Sequence, residues 1–422
     1  MTPDVFDDPG VCPARESLAG RLARSDGGSR WAQAVRDVPR HVFIPPKVWS
    51  ADGDDRRGEF RLLDATDPAG RAEWIAAVHS SDTSLVTQLD GARRPAGRHG
   101  DLARGTPTGS ATAPGLVAAM LHHLDPRDGM RVLHVGCGPG YTTGLLCREL
   151  GADQVVAVEV DEDLARRSRQ SLTRLGHHPT LVVRDGWHGH RQGGPYDLVL
   201  VTASCRRPAR AWIAQTRPGG RILLPLHGAL VNSGLALLEV ADGDTASGRF
   251  LPLRGSFMPL RDRRIRLTAT DTHRLGGDRP RPVRRRTTTS PLPMPETLTG
   301  WYLVELTLHT MATVVAEADD GSGAFTAWFA DSDTGSWARV DHMPGASTYA
   351  VAQSGPLLLW DEIEEILHWW ERLGRPPWHL FGITVTPDAQ YVWHAPTGET
   401  RQLSYLAGQA TPGGDCSPGL KT

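Results

Sequence analysis

The amino-acid sequence predicts an α/β protein built on a doubly wound parallel sheet, followed by a smaller α+β unit. Three observations support this fold class. Short apolar segments alternate with helical patterns between residues 112 and 228, as in parallel sheets covered by helices on both faces. A glycine-rich turn separates one apolar segment from the helix that follows it. The chain has 422 residues, enough for two or three domains and a sizeable core.

Apolar spacing in the middle of the chain predicts the elements in order. Short apolar runs are typical of buried strands, and apolar residues three and four positions apart are typical of helices. The predicted strands are 131–135, 155–158, 180–183, 198–202 and 221–225, with further strands over 235–240 and 250–260. The predicted helices are 114–124, 141–150, 161–175 and 209–215.

Changes in composition divide the chain into four parts. Residues 1–111 carry acidic and arginine-rich patches but little periodicity. Residues 112–275 contain the predicted parallel sheet and its added strands. Residues 276–296 combine prolines, a basic run and a Ser/Thr run, which is the composition of an exposed linker. Residues 297–422 form a predicted C-terminal α+β domain.

The C-terminal part holds eight of the thirteen tryptophans. A helix is predicted over 361–373, because acidic residues lie at its start and apolar residues follow at helical spacing. Residues 381–385 and 391–393 resemble a hairpin. The tryptophans suit either a buried core or a peptide-binding surface, and the core is the commoner place for aromatic residues.

Charge and cysteine content exclude several classes of function. The 46 basic and 48 acidic residues give a net charge of −2, so no overall basic field attracts nucleic acid or a membrane. No apolar run approaches the roughly 20 residues that cross a bilayer, and the first residues lack signal-peptide features. We therefore expect a cytoplasmic protein without nucleic-acid or membrane partners. The five cysteines form no CxxC pair and the histidines lack metal-ligand spacing, so no metal site is expected.

The glycine-rich turn is the segment with the most chemical information. Residues 132–141 read VLHVGCGPGY, a strand followed by a turn and the start of a helix. Such a turn exposes backbone N–H groups to a ligand and lets it approach closely. The spacing of Gly136, Gly138 and Gly140 is GxGxG, the pattern of class I S-adenosylmethionine methyltransferases, and not the GxGxxG of dinucleotide-binding proteins. These glycines and Tyr141 are candidate cofactor contacts.

Two acidic residues at strand ends complete the predicted cofactor site. Glu159 follows Gly140 by nineteen residues and ends the next strand, where its carboxylate can accept both ribose hydroxyls. Asp185 and Gly186 follow the strand after that, at a position from which an acid can meet the adenine amino group. The sequence therefore predicts an S-adenosyl-L-methionine site at this edge of the sheet.

Several segments resemble the protein-L-isoaspartate O-methyltransferase family. They are VPRHVFIPP (38–46), VLHVGCGPGY (132–141), RDGWHG (184–189), YDLVLVTAS (196–204) and RPGGRILLPL (217–226). SATAP, which begins at Ser110, resembles the family's Thr-Ile-Ser-Gln-Pro, whose hydroxyl residue two before the proline lies at the active site. Thr112 has that position, and Thr112 and Ser110 are the candidate catalytic residues. The resemblance implies a Rossmann-like carboxyl O-methyltransferase with its substrate and active-site region in 1–111.

The sequence departs from the family pattern in ways that bear on substrate. His134 replaces a glutamate, and about 190 residues follow the end of a minimal repair enzyme. Residues 256–261 (SFMPLR) and 381–393 resemble longer actinobacterial members associated with ribosomally made peptides, including lanthipeptides, lasso peptides and graspetides. That resemblance implies methylation of a peptide aspartate, then closure to a succinimide (aspartimide), which can hydrolyse to isoaspartate. The domain 297–422 would then recognise the peptide.

Two other functions fit the same residues. One is general repair of proteins that contain isoaspartate or D-aspartate. The other is a non-catalytic peptide-binding protein that retains the methyltransferase fold. An N-methyltransferase fits less well, because the loop over 202–208 reads TASCRRP and lacks the Asn/Asp-Pro-Pro-Tyr/Phe motif of many such enzymes.

Overall fold

The computed structural model describes residues 9–24, 28–51, 59–91, 93–228, 230–231, 233–242, 244–261 and 282–403. These residues form three β-sheets and nine α-helices. The helices are α1 (Val11–Ala23), α2 (Gly28–Asp37), α3 (Pro68–Val78), α4 (Pro114–Leu124), α5 (Tyr141–Leu150), α6 (Glu162–Arg174), α7 (Arg210–Ala214), α8 (Leu298–Thr307) and α9 (Leu359–Arg372). No helix within the described ranges is long and apolar enough to cross a membrane.

The central sheet confirms the predicted α/β fold class. Its parallel part has the order β8-β7-β6-β9-β10, so the chain starts in the middle and winds outward in both directions. These strands are β6 (Val132–Val135), β7 (Val155–Glu159), β8 (Thr180–Val183), β9 (Tyr196–Val201) and β10 (Thr216–Leu226). Two antiparallel strands, β11 (Ser233–Ala241) and β12 (Thr245–Gly255), continue it. Helices α4 and α5 have the predicted bounds, because their apolar residues are buried at helical spacing.

The N-terminal region contains a sheet that the sequence analysis does not predict. Five antiparallel strands have the order β4-β2-β1-β3-β5. They are β1 (Lys47–Ala51), β2 (Glu59–Asp64), β3 (Leu85–Leu89), β4 (Leu102–Arg104) and β5 (Pro107–Ala111). Their sequences lack the apolar alternation of a half-buried strand: β3 buries the polar Thr87 and Gln88, and β5 reads PTGSA. We call β1–β5 with α3 the N-terminal sheet unit.

The C-terminal part adds a third sheet and extends the central one. The third sheet has the order β13-β17-β16-β15-β14. Its strands are β13 (Val283–Thr287), β14 (Met311–Glu317), β15 (Phe325–Asp331), β16 (Trp337–His342) and β17 (Tyr349–Ser354). The predicted hairpin is confirmed as β18 (Phe381–Val385) and β19 (Gln390–His394), with β20 (Thr400–Gln402) beside it. Strand β18 pairs with β12, so the hairpin belongs to the central sheet. We call the described residues 282–403 the C-terminal unit.

The predicted linker over 276–296 is wrong for the residues that form β13. Val283–Thr287 pairs with β17 along its whole length as an edge strand. Its basic residues are used by the fold, since Arg285 bonds Asp361 and Glu364 on α9. Charged residues on edge strands discourage pairing with other chains, which explains why the strand reads like a linker. Residues 276–281 lie outside the described residues.

The tryptophans of the C-terminal unit lie mainly in the core. Trp301, Trp360 and Trp370 belong to one apolar cluster that also contains Val199 of β9 and Phe250 of β12. This continuous core joins the C-terminal unit to the central sheet. The N-terminal sheet unit instead has two small apolar clusters apart from this core, one of which also includes Val11 of α1 and Ile44.

Candidate active site

A cleft at the carboxyl ends of β6, β7 and β9 brings the predicted site residues together. It has a volume of about 1010 Å³ including its open mouth, which is ample for a nucleoside-sized ligand. Eight of the nine predicted site residues line it: Ser110, Thr112, Gly136, Gly138, Tyr141, Glu159, Asp185 and Gly186. The ninth, Gly140, is absent from the lining. The cleft lies where ligands bind in open α/β sheets, beside the point at which the strand order reverses.

The glycine turn follows β6 and needs glycine at each of its three positions. Gly136, Gly138 and Gly140 have φ angles of 81°, 54° and 100°, a region that other residues rarely adopt. A Cβ atom at Gly138 would lie 3.3 Å from the carbonyl oxygen of Ser110, so the turn and β5 nearly touch. A Cβ atom at Gly140 would collide with Ser168 of α6. Gly140 therefore packs two helices together, and the other two glycines face the cleft.

Glu159 ends β7 and holds the glycine turn by its carboxylate. Oε2 accepts a hydrogen bond from the N–H of Gly138 at 2.8 Å, and Oε1 accepts from Val160 and Asp161 at 3.0 and 3.1 Å. The residue is 7% exposed, and burial raises the pKa of its carboxyl group. A carboxylate has about four acceptor positions. Glu159 can thus brace the turn and still accept hydroxyl groups from a ligand in the cleft.

Asp185 and Gly186 follow β8 and form the opposite side of the cleft. Oδ1 of Asp185 accepts a hydrogen bond from the N–H of Trp187 at 2.9 Å, which caps a short 3₁₀ helix and fixes the carboxylate. A Cβ atom at Gly186 would lie 2.5 Å from Cγ1 of Val135, so only glycine fits there. Because Asp185 and Gly186 line the same cleft as Glu159, one ligand can contact all three residues.

Ser110 and Thr112 approach the cleft from the N-terminal sheet unit. They lie two positions apart on β5 and just after it, so both side chains project to the same side. Their backbone is held by Arg40, whose guanidinium donates to the carbonyl oxygens of Ala111 and Thr112 at 3.1 Å each. The same guanidinium also donates to the carbonyl oxygens of Val78 and Thr83. Burial lowers the pKa of Arg40 to about 10.

Comparisons with known proteins agree with this geometry. The family model "Protein-L-isoaspartate(D-aspartate) O-methyltransferase" matches residues 106–256. A protein-L-isoaspartate O-methyltransferase of Anaeromyxobacter dehalogenans is 35% identical over 206 residues, 47% of this chain and 88% of the relative. The chain belongs to the protein-L-isoaspartate O-methyltransferase family. It is a carboxyl O-methyltransferase whose cofactor is S-adenosylmethionine.

Two further matches describe how far the likeness extends. The protein-L-isoaspartate O-methyltransferase 2 of Archaeoglobus fulgidus is 29% identical over 252 residues, 58% of this chain and 94% of the relative. A solved structure titled protein-L-isoaspartate O-methyltransferase has a TM-score of 0.51 and 20% sequence identity. It covers 90% of this chain and 99% of its own. At the level of the fold, the likeness therefore includes most of the C-terminal unit.

The residues of this methyltransferase fit S-adenosylmethionine. Gly136 and Gly138 leave room for close approach, and the N-terminus of α5 lies behind the turn, where the carboxylate of the cofactor's amino acid part is favoured. Glu159 offers acceptors suited to ribose hydroxyls. The hydroxyl of Tyr141 is buried at the cleft without a hydrogen-bond partner, which suits a polar ligand group. When bound, S-adenosylmethionine supplies an electrophilic methyl group.

His134 supports the glycine turn from behind and does not line the cleft. Its Nδ1 lies 2.9 Å from Oγ1 of Thr143, and its Nε2 lies 2.9 Å from Oγ1 of Thr202. The Thr202 hydroxyl also bonds the carbonyl oxygen of Gly136 at 2.7 Å. Burial lowers the pKa of His134 to about 3, so the ring is neutral at pH 7. The residue that replaces the family's glutamate thus has a structural role in this methyltransferase.

Sequence analysis missed two arginines that build the site. Arg40 lies within VPRHVFIPP (38–46), but only the structure shows which carbonyl oxygens it bonds. Arg261 ends SFMPLR and lines the cleft. It donates to Oδ2 of Asp161 and Oε1 of Gln88, both at 3.0 Å. Arg261 so joins the central domain, by which we mean the chain from α4 to Arg261, to the N-terminal sheet unit. The signal available in the sequence was an arginine at the end of an otherwise apolar stretch.

A wider groove opens next to the cleft. Its volume is about 2060 Å³ including open solvent, and Ser110, Phe257 and Met258 line both cavities. One wall of the groove comes from the N-terminal sheet unit, and the other includes Arg206 and His227 of the central domain. The cleft and the groove therefore form one continuous surface, with Ser110 at the junction.

Proposed function

We propose that this methyltransferase esterifies the side-chain carboxylate of an aspartate in a ribosomally made, modified peptide. The groove beside the cofactor cleft is the observation that carries the proposal. Its volume of about 2060 Å³, open solvent included, leaves room for a polypeptide segment, and it meets the cleft at Ser110, next to Thr112. A peptide lying in the groove would place one side chain in the cleft.

For methyl transfer to a carboxylate, the main task of the protein is to position the substrate. An aspartate carboxylate has an unperturbed pKa near 4, so it is already ionised at pH 7 and needs no strong general base. Thr112 donates a hydrogen bond to the substrate carboxylate or backbone and holds the reacting oxygen in line with the transferred methyl group. Ser110 holds the neighbouring peptide backbone. Closure of the site by Arg261 reduces access of water.

The ester then reacts without further help from the protein. The backbone nitrogen of the following residue attacks the ester carbonyl carbon and forms a C–N bond. The C–O bond to methoxide breaks, and methanol leaves with the proton from nitrogen. The product is a five-membered succinimide, which water can open to aspartate or isoaspartate.

General protein repair is a second candidate, and one observation favours it. A solved protein-L-isoaspartate O-methyltransferase covers 90% of this chain at the level of the fold. The extra length is therefore shared with an enzyme that carries that name, and it does not by itself select a dedicated peptide. The non-catalytic alternative receives no such support, because the cleft keeps eight of the predicted site residues together.

Matched peptides separate the two candidates. The purified full chain is incubated with labelled S-adenosylmethionine and two peptides that differ only in aspartate or isoaspartate at one position. Preferred transfer to the aspartate peptide, with gain of one methyl group and then loss of methanol in the mass spectrum, supports peptide tailoring. Preferred transfer to the isoaspartate peptide supports repair. If the chain binds the cofactor but forms no base-labile methyl ester on either peptide, both peptide tailoring and protein repair are wrong. A Glu159→Ala chain is the control for transfer that does not depend on the cleft.

A further inference from the structure

Two loops of the central domain form one wall of the groove. Arg206 comes from the loop after β9, and His227 and Gly228 come from the connection between β10 and β11. The loops are joined by their backbones, since the N–H of His227 donates to the carbonyl oxygen of Cys205 at 3.0 Å. We call Arg206, His227 and Gly228 the loop wall. A change in either loop therefore alters the surface that a peptide would meet.

The C-terminal unit reaches the loop wall without lining the groove. Among the described residues, none after 261 lines the cleft or the groove. Helix α8 instead contacts the β10–β11 connection from behind. The hydroxyl of Tyr302 donates to the carbonyl oxygen of Leu226 at 3.0 Å and accepts from the N–H of Gly234 at 3.2 Å. These two bonds fix both ends of the connection.

Glu305 lies one turn after Tyr302 and fixes the middle of the same connection. Its Oε1 accepts from the N–H of Leu230 at 2.5 Å, and its Oε2 accepts from the N–H of Val231 at 3.0 Å. Residues three positions apart share a helix face, so both side chains point at the loop. Glu305 is 1% exposed, and a Cβ atom at Gly228 would collide with its carboxylate. The carboxylate therefore sets the path of the loop-wall backbone.

Arg206 is held by the same unit. Its Nη1 donates to the carbonyl oxygen of His309, in the connection after α8, at 3.2 Å and to that of Met311 at the start of β14. Burial lowers the pKa of Arg206, and the nearby carboxylate of Glu305 opposes that effect because it favours the charged guanidinium. A guanidinium carries five N–H donors, so an arginine anchored at one nitrogen can present others to a peptide.

We propose that Glu305 and Arg206 are positioning residues through which the C-terminal unit sets the peptide preference of this methyltransferase. Glu305 holds the backbone of the β10–β11 connection, which carries His227 and Gly228. Arg206 offers donors to oxygen acceptors of the residues beside the methylated carboxylate. The inference rests on the proposed function, because it concerns the groove in which the peptide is expected to lie.

Kinetics of a Glu305→Gln chain test the inference. Glutamine keeps the shape of the side chain but has one acceptor oxygen, so one backbone N–H of the loop loses its partner and faces an amide NH₂. The substrate is whichever of the two matched peptides the wild-type chain methylates better. We expect KM for this peptide to rise about tenfold, while KM for S-adenosylmethionine and kcat stay within about twofold. Hydrogen exchange at Leu230 and Val231 should become faster.

Control variants separate this effect from loss of the fold. Glu364→Gln removes a carboxylate whose recorded bonds, to Arg285 and Thr287, stay within the C-terminal unit, and it should leave both KM values unchanged. If the Glu305→Gln chain no longer binds S-adenosylmethionine, the Arg206→Met chain is tested in its place. It should show the same result, a higher KM for the peptide with an unchanged KM for S-adenosylmethionine. An unchanged peptide KM, or an equal rise in both, overturns the inference. If the wild-type chain methylates neither peptide, the proposed function fails first and the inference falls with it.

Discussion

The N-terminal sheet unit and the C-terminal unit are attached to the central domain in opposite ways. The N-terminal sheet has two small apolar clusters apart from the core of the central sheet, and polar groups join it to the central domain. Gln88, for example, donates to Asp161 at 2.9 Å, and Arg261 bonds both. The C-terminal unit shares one apolar core with the central sheet, and three of its strands extend that sheet.

This difference in attachment corresponds to what each unit contributes to the active site. The N-terminal sheet unit supplies side chains to the cleft, and its polar contacts can be broken one at a time. The C-terminal unit, as far as the structure describes it, supplies no side chain to the cleft or the groove. Its influence must pass through the backbone of the loops it supports. Mutations in the N-terminal sheet unit should therefore change methyl transfer, and mutations in the C-terminal unit should change global stability or, through the loops it supports, the KM for the peptide.

The largest effect is expected in the shared core. Trp360 is fully buried and contacts Trp301 and Phe329 at ring-centroid distances of 6.3 and 5.4 Å. Trp360→Ala should lower the free energy of unfolding by about 3–5 kcal/mol, because it leaves a large cavity. Chemical denaturation followed by far-ultraviolet circular dichroism measures this change. The exposed Met343, changed to alanine, is the control in the same unit and should cost little.

The shape of the unfolding transition of the Trp360→Ala chain tests whether the C-terminal unit and the central domain share one core. A core shared with the central sheet predicts that the Trp360→Ala chain shifts the unfolding of both parts together. A separate early transition for the C-terminal unit, with the central domain unchanged, would show that the two cores are independent.

A smaller loss of stability is expected at Arg40, which supports the N-terminal sheet unit. Arg40→Met removes the guanidinium that donates to the carbonyl oxygens of Val78, Thr83, Ala111 and Thr112. We expect a loss of about 3 kcal/mol in unfolding free energy, since hydrogen bonds from a buried charged donor are costly to lose. Methyl transfer should fall more than cofactor affinity, because Ser110 and Thr112 lose their support. Arg36→Met, which removes a partly exposed pair with Glu16, is the control and should change neither.

Acid should destabilise both units through buried neutral histidines. Burial lowers the pKa of His79 and of His309 to about 4 each. Between about pH 6.5 and pH 4 the unfolded chain binds a proton that the folded chain does not, so stability falls as the pH falls. Each histidine contributes about 1.4 kcal/mol per pH unit in that range, or about 2 kcal/mol between pH 6.5 and 5. Below about pH 4 its contribution stops changing.

Substituting each histidine separately measures how much each unit contributes to the pH dependence of stability. His79→Gln in the N-terminal region and His309→Gln in the C-terminal unit should each make the plot of unfolding free energy against pH less steep below pH 6.5. Denaturant titrations at several pH values supply the plot. His188→Gln, at an exposed side chain, checks whether substitution alone changes the slope. Equal slopes in the wild-type chain and the three variants would show that His79 and His309 do not cause the loss of stability in acid.

The sequence predicted the parts of the molecule whose structure depends on local pattern. Strands and helices around the glycine turn follow from apolar spacing. Motifs and their order along the chain predicted eight residues that line the same cleft. The N-terminal sheet was missed because β5 reads PTGSA, which has no strand pattern, and is held by partners far away, such as Arg40. β13 was predicted as a linker from its composition, because the acidic partners of Arg285 lie on α9, about 75 residues later in the chain, and cannot be recognised from the local sequence. The role of Glu305 is also non-local, although a glutamate within an apolar helix was visible in the sequence.

The smallest predicted effect concerns the hydroxyl of Thr112, and it tests whether the N-terminal sheet unit acts in catalysis. Thr112→Ala removes one hydrogen-bond donor at the cleft and leaves the backbone carbonyl that Arg40 bonds in place. One such bond to a charged carboxylate is worth about 1.5 kcal/mol, so kcat/KM should fall about tenfold. The binding constant for S-adenosylmethionine, measured by calorimetry, should stay the same, because the hydroxyl acts on the substrate. Thr326→Ala removes a hydroxyl that bonds Asp341 in the C-terminal unit, and it should leave both quantities unchanged. Equal losses in transfer and cofactor binding after Thr112→Ala would assign the hydroxyl to the cofactor, and the N-terminal sheet unit would then shape the cleft without taking part in transfer.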